Sequence, residues 1–367
     1  MTRIVYIIPT LDRIGGAERQ LLLLAKAFAS RGWHVSVIAL SGNGSDAAHE
    51  LRNADVFFYS LYMRKAWLDP LGWIRYQAWR SIHKPDIVHA HLDHASFFAR
   101  FARIIAPVPV LIDTIHTIHT GSRLRRFLMR QTCRLSSHVT CVANSVADAY
   151  NAAGLLPHHS MSVIPNAIDI RQLPAVRNSP ESTPHPFLWV AVGRLHTVKD
   201  YPTLLRAFAL LPGEPRLTIA GAGPDQTRLV DLAHSLGIED RVHFAGFIAN
   251  VWPLLAASDA FVLTSLWEGL PVSILEASAA GLPVVATQTE GATEALRTCD
   301  AKWLVPIGDH LALAEAMAAV MILSPAERSE ISNQNRKTAL EQYALPVIAD
   351  RWTNLYLSLL EKHSTRR

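Results

Sequence analysis

The chain alternates between short apolar runs and longer amphipathic segments almost from its first residue. Arg3–Pro9 is rich in β-branched and aromatic residues, whereas Ala17–Ser30 carries its apolar residues at helical spacing. The same order returns with the apolar run Asp86–His91 and the helical pattern of Ala95–Ile105. Strands that alternate with helices predict a parallel sheet covered by helices on both faces.

This alternation is interrupted once, by a segment rich in proline. Pro174–Pro186 contains four prolines with Asn, Ser and Thr between them, which is typical of a linker, and the alternation resumes at Phe187–Val192. A last amphipathic segment, Leu345–Glu361, follows the second series. We therefore predict an α/β fold of two Rossmann-like, doubly wound parallel-sheet domains, residues 1–171 and 172–344, that face each other across a cleft. Residues 345–367 are expected to form a helix that crosses back to the first domain.

Composition limits the class of protein. Half of the 367 residues are hydrophobic and 18% are charged, which excludes disorder or a coiled coil as the main state. Apolar stretches such as Ala316–Leu323 are far shorter than the roughly 20 residues that cross a bilayer. Cys133, Cys141 and Cys299 cannot all pair within one chain, which favours a reducing compartment. The expected location is the cytoplasm.

The positive charge lies in the first half of the chain. Residues 1–170 contain 18 Lys and Arg against 11 Asp and Glu, a net charge of +7, whereas the remainder contains 17 against 20, a net charge of −3. This imbalance indicates that the first half meets something anionic, such as an acidic lipid surface, a phosphorylated substrate or nucleic acid. Ordinary scatter of charges is the alternative.

A basic stripe and an aromatic cluster lie within this half. The basic stripe has helical spacing. Leucines form an adjacent stripe, which we expect to face the core. The aromatic residues lie upstream of both and are interleaved with cations. An interfacial site on an anionic membrane has this pattern, while a solvated helix face with core tryptophans is the alternative. The residues are Arg123, Arg126, Arg130 and Arg134, then Leu124, Leu128 and Leu135, and finally residues 62–67, Trp73, Tyr76 and Trp79.

Glycines and cations follow the predicted strands of the second domain. Gly193 and Arg194 end its first strand and Lys199 lies five residues further on, a pattern that suits a diphosphate, although two solvated surface cations would look the same. Gly221 and Gly223 follow the next strand and let a flat ligand approach the backbone. In the first domain, the Gly15-Gly16 turn precedes a helix whose first N–H groups are free for an anion, and a plain tight turn is equally compatible.

The strongest feature is a pair of glutamates eight residues apart. Glu268 lies in the loop after a predicted strand, Gly269 and Pro271 shape the turn, and Glu276 lies in the helix that follows. Because ionised carboxylates only accept hydrogen bonds, we expect both to bind sugar hydroxyls beside the phosphate site. A capping or surface pair of acids is the alternative.

Five histidines cluster in the first domain, and a metal site is one way to use them. Their spacing is compatible with metal binding, but some alternate along predicted strands, so a single histidine beside a phosphate or sugar hydroxyl is the favoured interpretation. We expect no metal. The five are His89, His91, His94, His116 and His119.

Taken together, these motifs resemble the retaining glycosyltransferases of family four, which have the GT-B fold. The resemblance covers nearly the whole chain, and Ala167 stands where the family usually has glycine. The motifs, in order, are Gly15-Gly16, Asp86–His91, Thr114-x-His116, Pro165–Asp169, Gly193–Leu195 with Lys199, Gly221-x-Gly223-Pro224 and Glu268-x7-Glu276.

The resemblance implies a role for each site residue. Arg194 and Lys199 would bind the nucleotide diphosphate and stabilise it as it leaves, and Glu276 would hold the ribose. Glu268 would hold the transferred sugar, and His116 would lie beside it, with His119 open as the alternative because it repeats the Thr-x-His pattern. The remaining donor contacts would be Gly15, Gly16, Gly193, Gly221, Gly223, Phe247 beside the base, and the backbone of Gly269, Leu270, Pro271 and Val272.

The resemblance also implies the partners. The donor would be a nucleotide-diphosphate sugar, with UDP the commonest nucleotide. The acceptor would be a membrane-associated glycan or glycolipid in polysaccharide or lipopolysaccharide synthesis, reached at the inner face of the cytoplasmic membrane. No cofactor and no nucleic acid are expected. Two rivals stay open: a nucleotide-sugar 2-epimerase that needs no acceptor, and a non-catalytic protein that binds sugar nucleotides.

Overall fold

The computed structural model describes residues 1–12, 14–64, 68–156, 161–173, 186–297 and 303–365. The aromatic cluster's residues 65–67, nearly all of the predicted linker, and Cys299 lie outside these ranges. The chain divides into two compact units, one formed by Met1–Ala167 with Leu345–Arg367 and the other by Ile168–Ala344. The boundary between the two units, after Ala167, therefore falls four residues before the predicted boundary after residue 171.

The first unit is built on one parallel sheet. In the described ranges this sheet has seven strands in the order β3-β2-β1-β4-β5-β6-β7. Its strands are β1 (Arg3–Ile8), β2 (His34–Ala39), β3 (Phe57–Ser60), β4 (Ile87–His91), β5 (Val110–Ile115), β6 (His138–Cys141) and β7 (Met161–Val163). The helices between them are α1 (Gly16–Ser30), α2 (Ser45–Arg52), α3 (Pro70–His83), α4 (Asp93–Ile105), α5 (Arg123–Thr132) and α6 (Asn144–Ala152).

The second unit repeats this plan. Across its described residues the parallel sheet has six strands in the order β10-β9-β8-β11-β12-β13. The strands are β8 (Leu188–Val192), β9 (Arg216–Ala220), β10 (Val242–Gly246), β11 (Ala260–Leu263), β12 (Val284–Thr287) and β13 (Leu304–Val305). Its helices are α7 (Tyr201–Ala209), α8 (Gln226–Ser235), α9 (Trp252–Ala256), α10 (Val272–Ala279), α11 (Glu290–Ala295), α12 (His310–Met321) and α13 (Pro325–Tyr343).

Both sheets are doubly wound, and the predicted fold class is confirmed. The chain order reverses between β1 and β4 in the first sheet and between β8 and β11 in the second. In open parallel sheets, ligands bind beyond the carboxyl ends of the strands at such a reversal. The loops after these four strands are therefore where a site is expected.

The closing helix, α14 (Leu345–Ser364), packs into the core of the first unit. Its Trp352 and Tyr356 are buried, and the Tyr356 hydroxyl lies 2.7 Å from Nδ1 of His89 in β4. Burial of an aromatic side chain of this size contributes about 3 kcal/mol. The helix is therefore part of the first unit's core rather than an appendage to it.

The expected aromatic membrane contact is wrong for Tyr76 and Trp79. Both are buried on α3, and Trp73 is partly buried against Phe98 of α4, at a ring distance of 4.6 Å. The interleaving of aromatics with cations did not reveal that this face of α3 packs on the sheet. Among the leucines expected to face the core, Leu124 is 68% exposed, because the inward face of α5 carries Met129 and Thr132 instead.

Candidate active site

The predicted donor residues of the second unit all follow the carboxyl ends of its strands. They come from four neighbouring strands, so the sheet gathers residues that lie far apart in sequence. Gly193, Arg194 and Lys199 follow β8, Gly221 and Gly223 follow β9, Phe247 follows β10, and Glu268 to Val272 follow β11 and lead into α10, which carries Glu276. This edge is the candidate donor site.

The centre of the site is an ion pair between Lys199 and Glu268. Lys199 ends a short 3₁₀ turn after β8, and its ammonium group pairs with Oε1 of Glu268 in the loop after β11. The Ser265 hydroxyl donates a hydrogen bond of 2.6 Å to the same carboxylate oxygen. The side chains of Lys199 and Glu268 are 18% and 14% exposed, so both remain within reach of a ligand.

Hydrogen bonds between the two loops hold this pair in place. Leu266 donates its N–H to the carbonyl of Val198 over 2.8 Å, and the Thr264 hydroxyl donates to the carbonyl of Lys199 over 2.8 Å. Thr287 at the end of β12 in turn donates to the carbonyl of Ser265 over 2.7 Å. Neither Thr264 nor Ser265 was predicted from the sequence, and their position directly after β11 was the available signal.

The backbone at Glu268 and Gly269 packs directly on helix α11. A Cβ atom at Gly291 would lie 2.2 Å from the carbonyl oxygen of Gly269 and 2.8 Å from that of Glu268. Real side chains do not approach backbone so closely, so only glycine fits at this position. Gly291 was likewise not predicted from the sequence, and it lets α11 pack against the Glu268 loop.

Glycines shape the wall formed by the loops after β8 and β9. A Cβ at Gly221, where φ is +156°, would lie 1.9 Å from the carbonyl oxygen of Gly193. A Cβ at Gly223 would lie 2.1 Å from that of Leu195. Glycine is therefore required here for the two loops to touch each other, and direct contact of these glycines with a donor stays a prediction.

The remaining residues of this edge differ in exposure. Arg194 is exposed, and Phe247 is 62% exposed directly after Gly246. Glu276 is only 8% exposed on α10. Both glutamates are thus largely buried, and Glu268 shares its carboxylate with Lys199.

The first unit offers a less favourable anion site at Gly15 and Gly16. The Glu18 carboxylate accepts a hydrogen bond of 3.0 Å from the N–H of Gly15, so a negative charge already caps the start of α1. Nothing lies within 4 Å of a Cβ built at Gly16, so its backbone is open to a ligand. The predicted phosphate contact at this turn stays a prediction.

Three of the clustered histidines occupy neighbouring strands of the first sheet. His116 follows β5, and its Nε2 lies 3.0 Å from Nδ1 of His91, the last residue of β4. Burial lowers the pKa of His116 to about 4 and holds the pKa of His91 well below its usual range, so both rings are neutral at pH 7. His89 is a core residue, because both its ring nitrogens lie within 2.7 Å of hydroxyl groups.

Two further observations concern metals and membranes. Within the described ranges, no group of three or more His, Cys, Asp or Glu side chains could hold a metal ion. No single described helix is long and apolar enough to span a bilayer. Helices α12 and α13, which are bent by 109° against each other, meet the criteria of length and composition only when taken together.

Comparison with solved structures places the fold. The chain resembles Anabaena Alr3699/HepE in complex with UDP, at a TM-score of 0.81 and 22% identity, over 97% of this chain and 100% of that chain. It also resembles the lipopolysaccharide outer core galactosyltransferase WaaB, at a TM-score of 0.73 and 18% identity, over 97% and 99% of the two chains. Both are likenesses of fold, and they place the chain in the GT-B fold.

Sequence comparison gives the family. Residues 14–172 match the model of Glycosyltransferase Family 4, and residues 174–338 match that of Glycosyl transferases group 1. The chain belongs to this glycosyltransferase family, as the motifs predicted. The lipopolysaccharide core biosynthesis glycosyltransferase LpsE of Rhizobium meliloti is 29% identical over 94% of this chain and 96% of its own length. An Escherichia coli UDP-Gal:alpha-D-GlcNAc-diphosphoundecaprenol alpha-1,3-galactosyltransferase is 27% identical over 57% and 59%.

Proposed function

We propose that the protein is a retaining glycosyltransferase that moves a sugar from a nucleotide-diphosphate donor, UDP in the first instance, to a glycan or lipid-linked acceptor. The observation that carries this proposal is the Lys199–Glu268 pair, fixed by Ser265 at the point where the second sheet reverses. The cation suits the diphosphate of a sugar nucleotide, and the neighbouring carboxylate suits the hydroxyl groups of its sugar. The names of LpsE and of the galactosyltransferase support lipopolysaccharide or polysaccharide assembly as the pathway.

The cations act on the leaving group. As the bond from the anomeric carbon to the phosphate oxygen breaks, negative charge grows on the diphosphate. We expect Lys199 and Arg194 to bind that charge. The backbone of Lys199 is hydrogen-bonded to the β11 loop, and Arg194 is exposed on the β8 loop. Preorganised cations of this kind stabilise the transition state more than the ground state.

The carboxylates act on hydroxyl groups. Glu268 accepts hydrogen bonds from hydroxyls of the transferred sugar, and the enclosed Glu276 accepts them from the ribose. The acceptor oxygen attacks the anomeric carbon on the face that the phosphate leaves, and its proton passes to the leaving phosphate oxygen. Configuration is thereby retained, and the chain contributes no covalent nucleophile in this scheme.

The first test is an assay with a panel of donors. UDP-glucose, UDP-galactose, UDP-N-acetylglucosamine and GDP-mannose are each tested for thermal stabilisation, because a bound donor raises the melting temperature by mass action. The stabilising donor is then incubated with and without a diphosphoundecaprenol-linked saccharide. A glycosylated lipid product supports the proposal. A new sugar epimer in the absence of the lipid contradicts it and indicates the 2-epimerase instead.

We further propose that α5 contacts the inner, anionic face of the cytoplasmic membrane. Arg123, Arg126, Arg130 and Arg134 are all exposed, and Leu124 and Phe127 are exposed between them. Cations interleaved with outward-facing apolar side chains suit an anionic bilayer surface. The relevant apolar residues are thus on α5 itself, rather than the tryptophan and tyrosine of α3 that are buried.

Replacing these four arginines by glutamine is expected to weaken binding to phosphatidylglycerol vesicles about 10²–10³-fold, at about 1 kcal/mol for each cation. Vesicle flotation at low salt measures the effect. The matched control replaces four exposed arginines of the second unit, Arg206, Arg216, Arg228 and Arg297, and removes the same charge. Equal binding of the wild type to neutral and anionic vesicles, or equal loss in both variants, would contradict the proposal.

A further inference from the structure

We infer that His91 is a positioning residue: it donates a hydrogen bond from Nδ1 to Nε2 of His116 and so leaves the proton of His116 on Nδ1. His116 is then a hydrogen-bond donor through its other ring nitrogen. The inference about the pair stands on the structure of the first unit. Only its consequence for sugar transfer rests on the proposed function.

The sheet itself brings the two rings together. β4 and β5 are adjacent and parallel, and His91 pairs in register with Thr114, two residues before His116. Residues i and i+2 along a strand lie on the same face of the sheet, so His116 lies on the same face as Thr114 and His91. The ring nitrogens are 3.0 Å apart and the ring centroids 5.2 Å, which is hydrogen-bond geometry.

Burial decides the direction of this hydrogen bond. Both rings are neutral, so each carries one proton, and only one proton can lie between Nδ1 of His91 and Nε2 of His116. If His116 supplied it, the proton of His91 would lie on Nε2. That nitrogen is buried and has no hydrogen-bond partner among the described residues. A buried N–H without an acceptor costs about 1–3 kcal/mol, and such groups are rarer than unpaired acceptors. The proton therefore belongs on Nδ1 of His91.

The backbone next to His91 is an independent sign of a constrained site. Leu92 has φ of 69° and ψ of 155°, a region that is almost confined to glycine. Such strain costs about 1–3 kcal/mol and persists only where the surroundings determine it, most often at functional sites. Asp93 follows directly, begins α4 and forms an ion pair with Arg125 of α5. The corner after His91 is thus held on its C-terminal side as well.

The consequence concerns the choice between the two Thr-x-His histidines. A neighbour with a fixed hydrogen-bond direction sets which nitrogen of a histidine carries the proton. His116 has such a neighbour in His91, so it can present a fixed N–H to an oxygen of the donor. His119 is exposed. We therefore assign the sugar-facing role to His116, as a donor and not as a base.

The protonation state can be measured without any ligand. Long-range ¹H–¹⁵N spectra of the full chain labelled at histidine report which ring nitrogen carries the proton, and His116→Gln identifies the signals of His116. We expect His116 protonated on Nδ1 in the wild type. We expect the same in His91→Asn, whose carboxamide places an N–H near Nδ1, and loss of that preference in His91→Leu. A wild-type His116 protonated on Nε2 overturns the inference, and this measurement requires no variant of His91.

Activity supplies the second test. With the donor and acceptor of the proposed function, His91→Leu is expected to lower kcat about tenfold with a smaller change in KM, because one positioned hydrogen bond is lost. His91→Asn should stay within about threefold of the wild type by retaining that donor. The matched control is His138→Leu, which removes another strand histidine whose Nε2 lies 2.9 Å from Ser162; it should lower stability without this loss of kcat.

The outcomes separate the two claims. Equal loss of kcat in His91→Leu and His91→Asn would contradict the positioning role. If no variant and no wild-type sample transfers sugar, the proposed function fails, while the spectra still decide the direction of the hydrogen bond.

Discussion

Replacement of Glu268 by glutamine is expected to lower the rate of sugar transfer about 10³-fold. The carboxylate accepts hydrogen bonds from Ser265 and Lys199, and in the proposed reaction it also accepts them from the transferred sugar. Glutamine keeps only one accepting oxygen: when that oxygen stays with Lys199 and Ser265, the NH₂ group faces the sugar, and when it faces the sugar, the NH₂ group faces the ammonium of Lys199. Either the sugar loses its acceptor or the lysine loses its alignment, so kcat falls more than KM rises.

The loss of stability should be much smaller than the loss of rate. Both side chains of the pair reach solvent, so the released ammonium is rehydrated, and we expect a cost of about 1–2 kcal/mol in the free energy of unfolding. Glu239→Gln is the matched control, because it removes an exposed carboxylate paired with His234 in the same unit. Steady-state kinetics with thermal unfolding of both variants measures the contrast. An unchanged transfer rate in Glu268→Gln would refute the role of this carboxylate.

The sequence predicted those parts of the molecule that depend on local pattern. Apolar runs gave the strands that carry the site, and the spacing of Glu268 and Glu276 placed one in a loop and one in a helix, as found. Several elements were not predicted, including the long helices α3 and α13 and the short α2, β3 and α11. The short ones have too few residues for their periodicity to stand out from a loop.

The errors come from side chains whose partners lie far away in sequence. Trp73, Tyr76 and Trp79 were assigned to a membrane surface because cations lie among them, but such interleaving alone does not tell an inward helix face from an outward one. The contact of Trp73 with Phe98 requires knowledge of how α3 and α4 pack. In the same way, the contact of His91 with His116 requires the register of β4 against β5.

The missed site residues share a physical cause as well. Ser265 and Gly291 belong to residue types that are common in loops and at helix starts, so their sequence signal is weak. Their importance appears only once Ser265 is seen to hold a carboxylate and Gly291 to touch backbone. The residues predicted to contact a ligand carry a stronger sequence signal than the residues that hold them in place.

Gly291→Ala tests whether a residue that only supports the site matters for activity. This variant is expected to lower the transfer rate about 10²-fold, because a shift of about 1 Å in a catalytic group has that effect. The new methyl group would lie 2.2 Å from the carbonyl oxygen of Gly269, so either α11 or the Glu268 loop must move. Alanine favours a helix over glycine by about 1 kcal/mol, which offsets part of the strain. Activity should therefore fall further than stability.

The comparison variant is Gly72→Ala in α3. Gly72 is also buried in a helix, but the methyl group there meets the side chain of Met63, which can change its rotamer, rather than fixed backbone. We expect Gly72→Ala to change the melting temperature with little effect on kcat per folded molecule, and Gly291→Ala to show the reverse. A Gly291→Ala enzyme with wild-type kcat would mean that the Glu268 loop tolerates displacement, and the close packing of α11 against it would then be structural only.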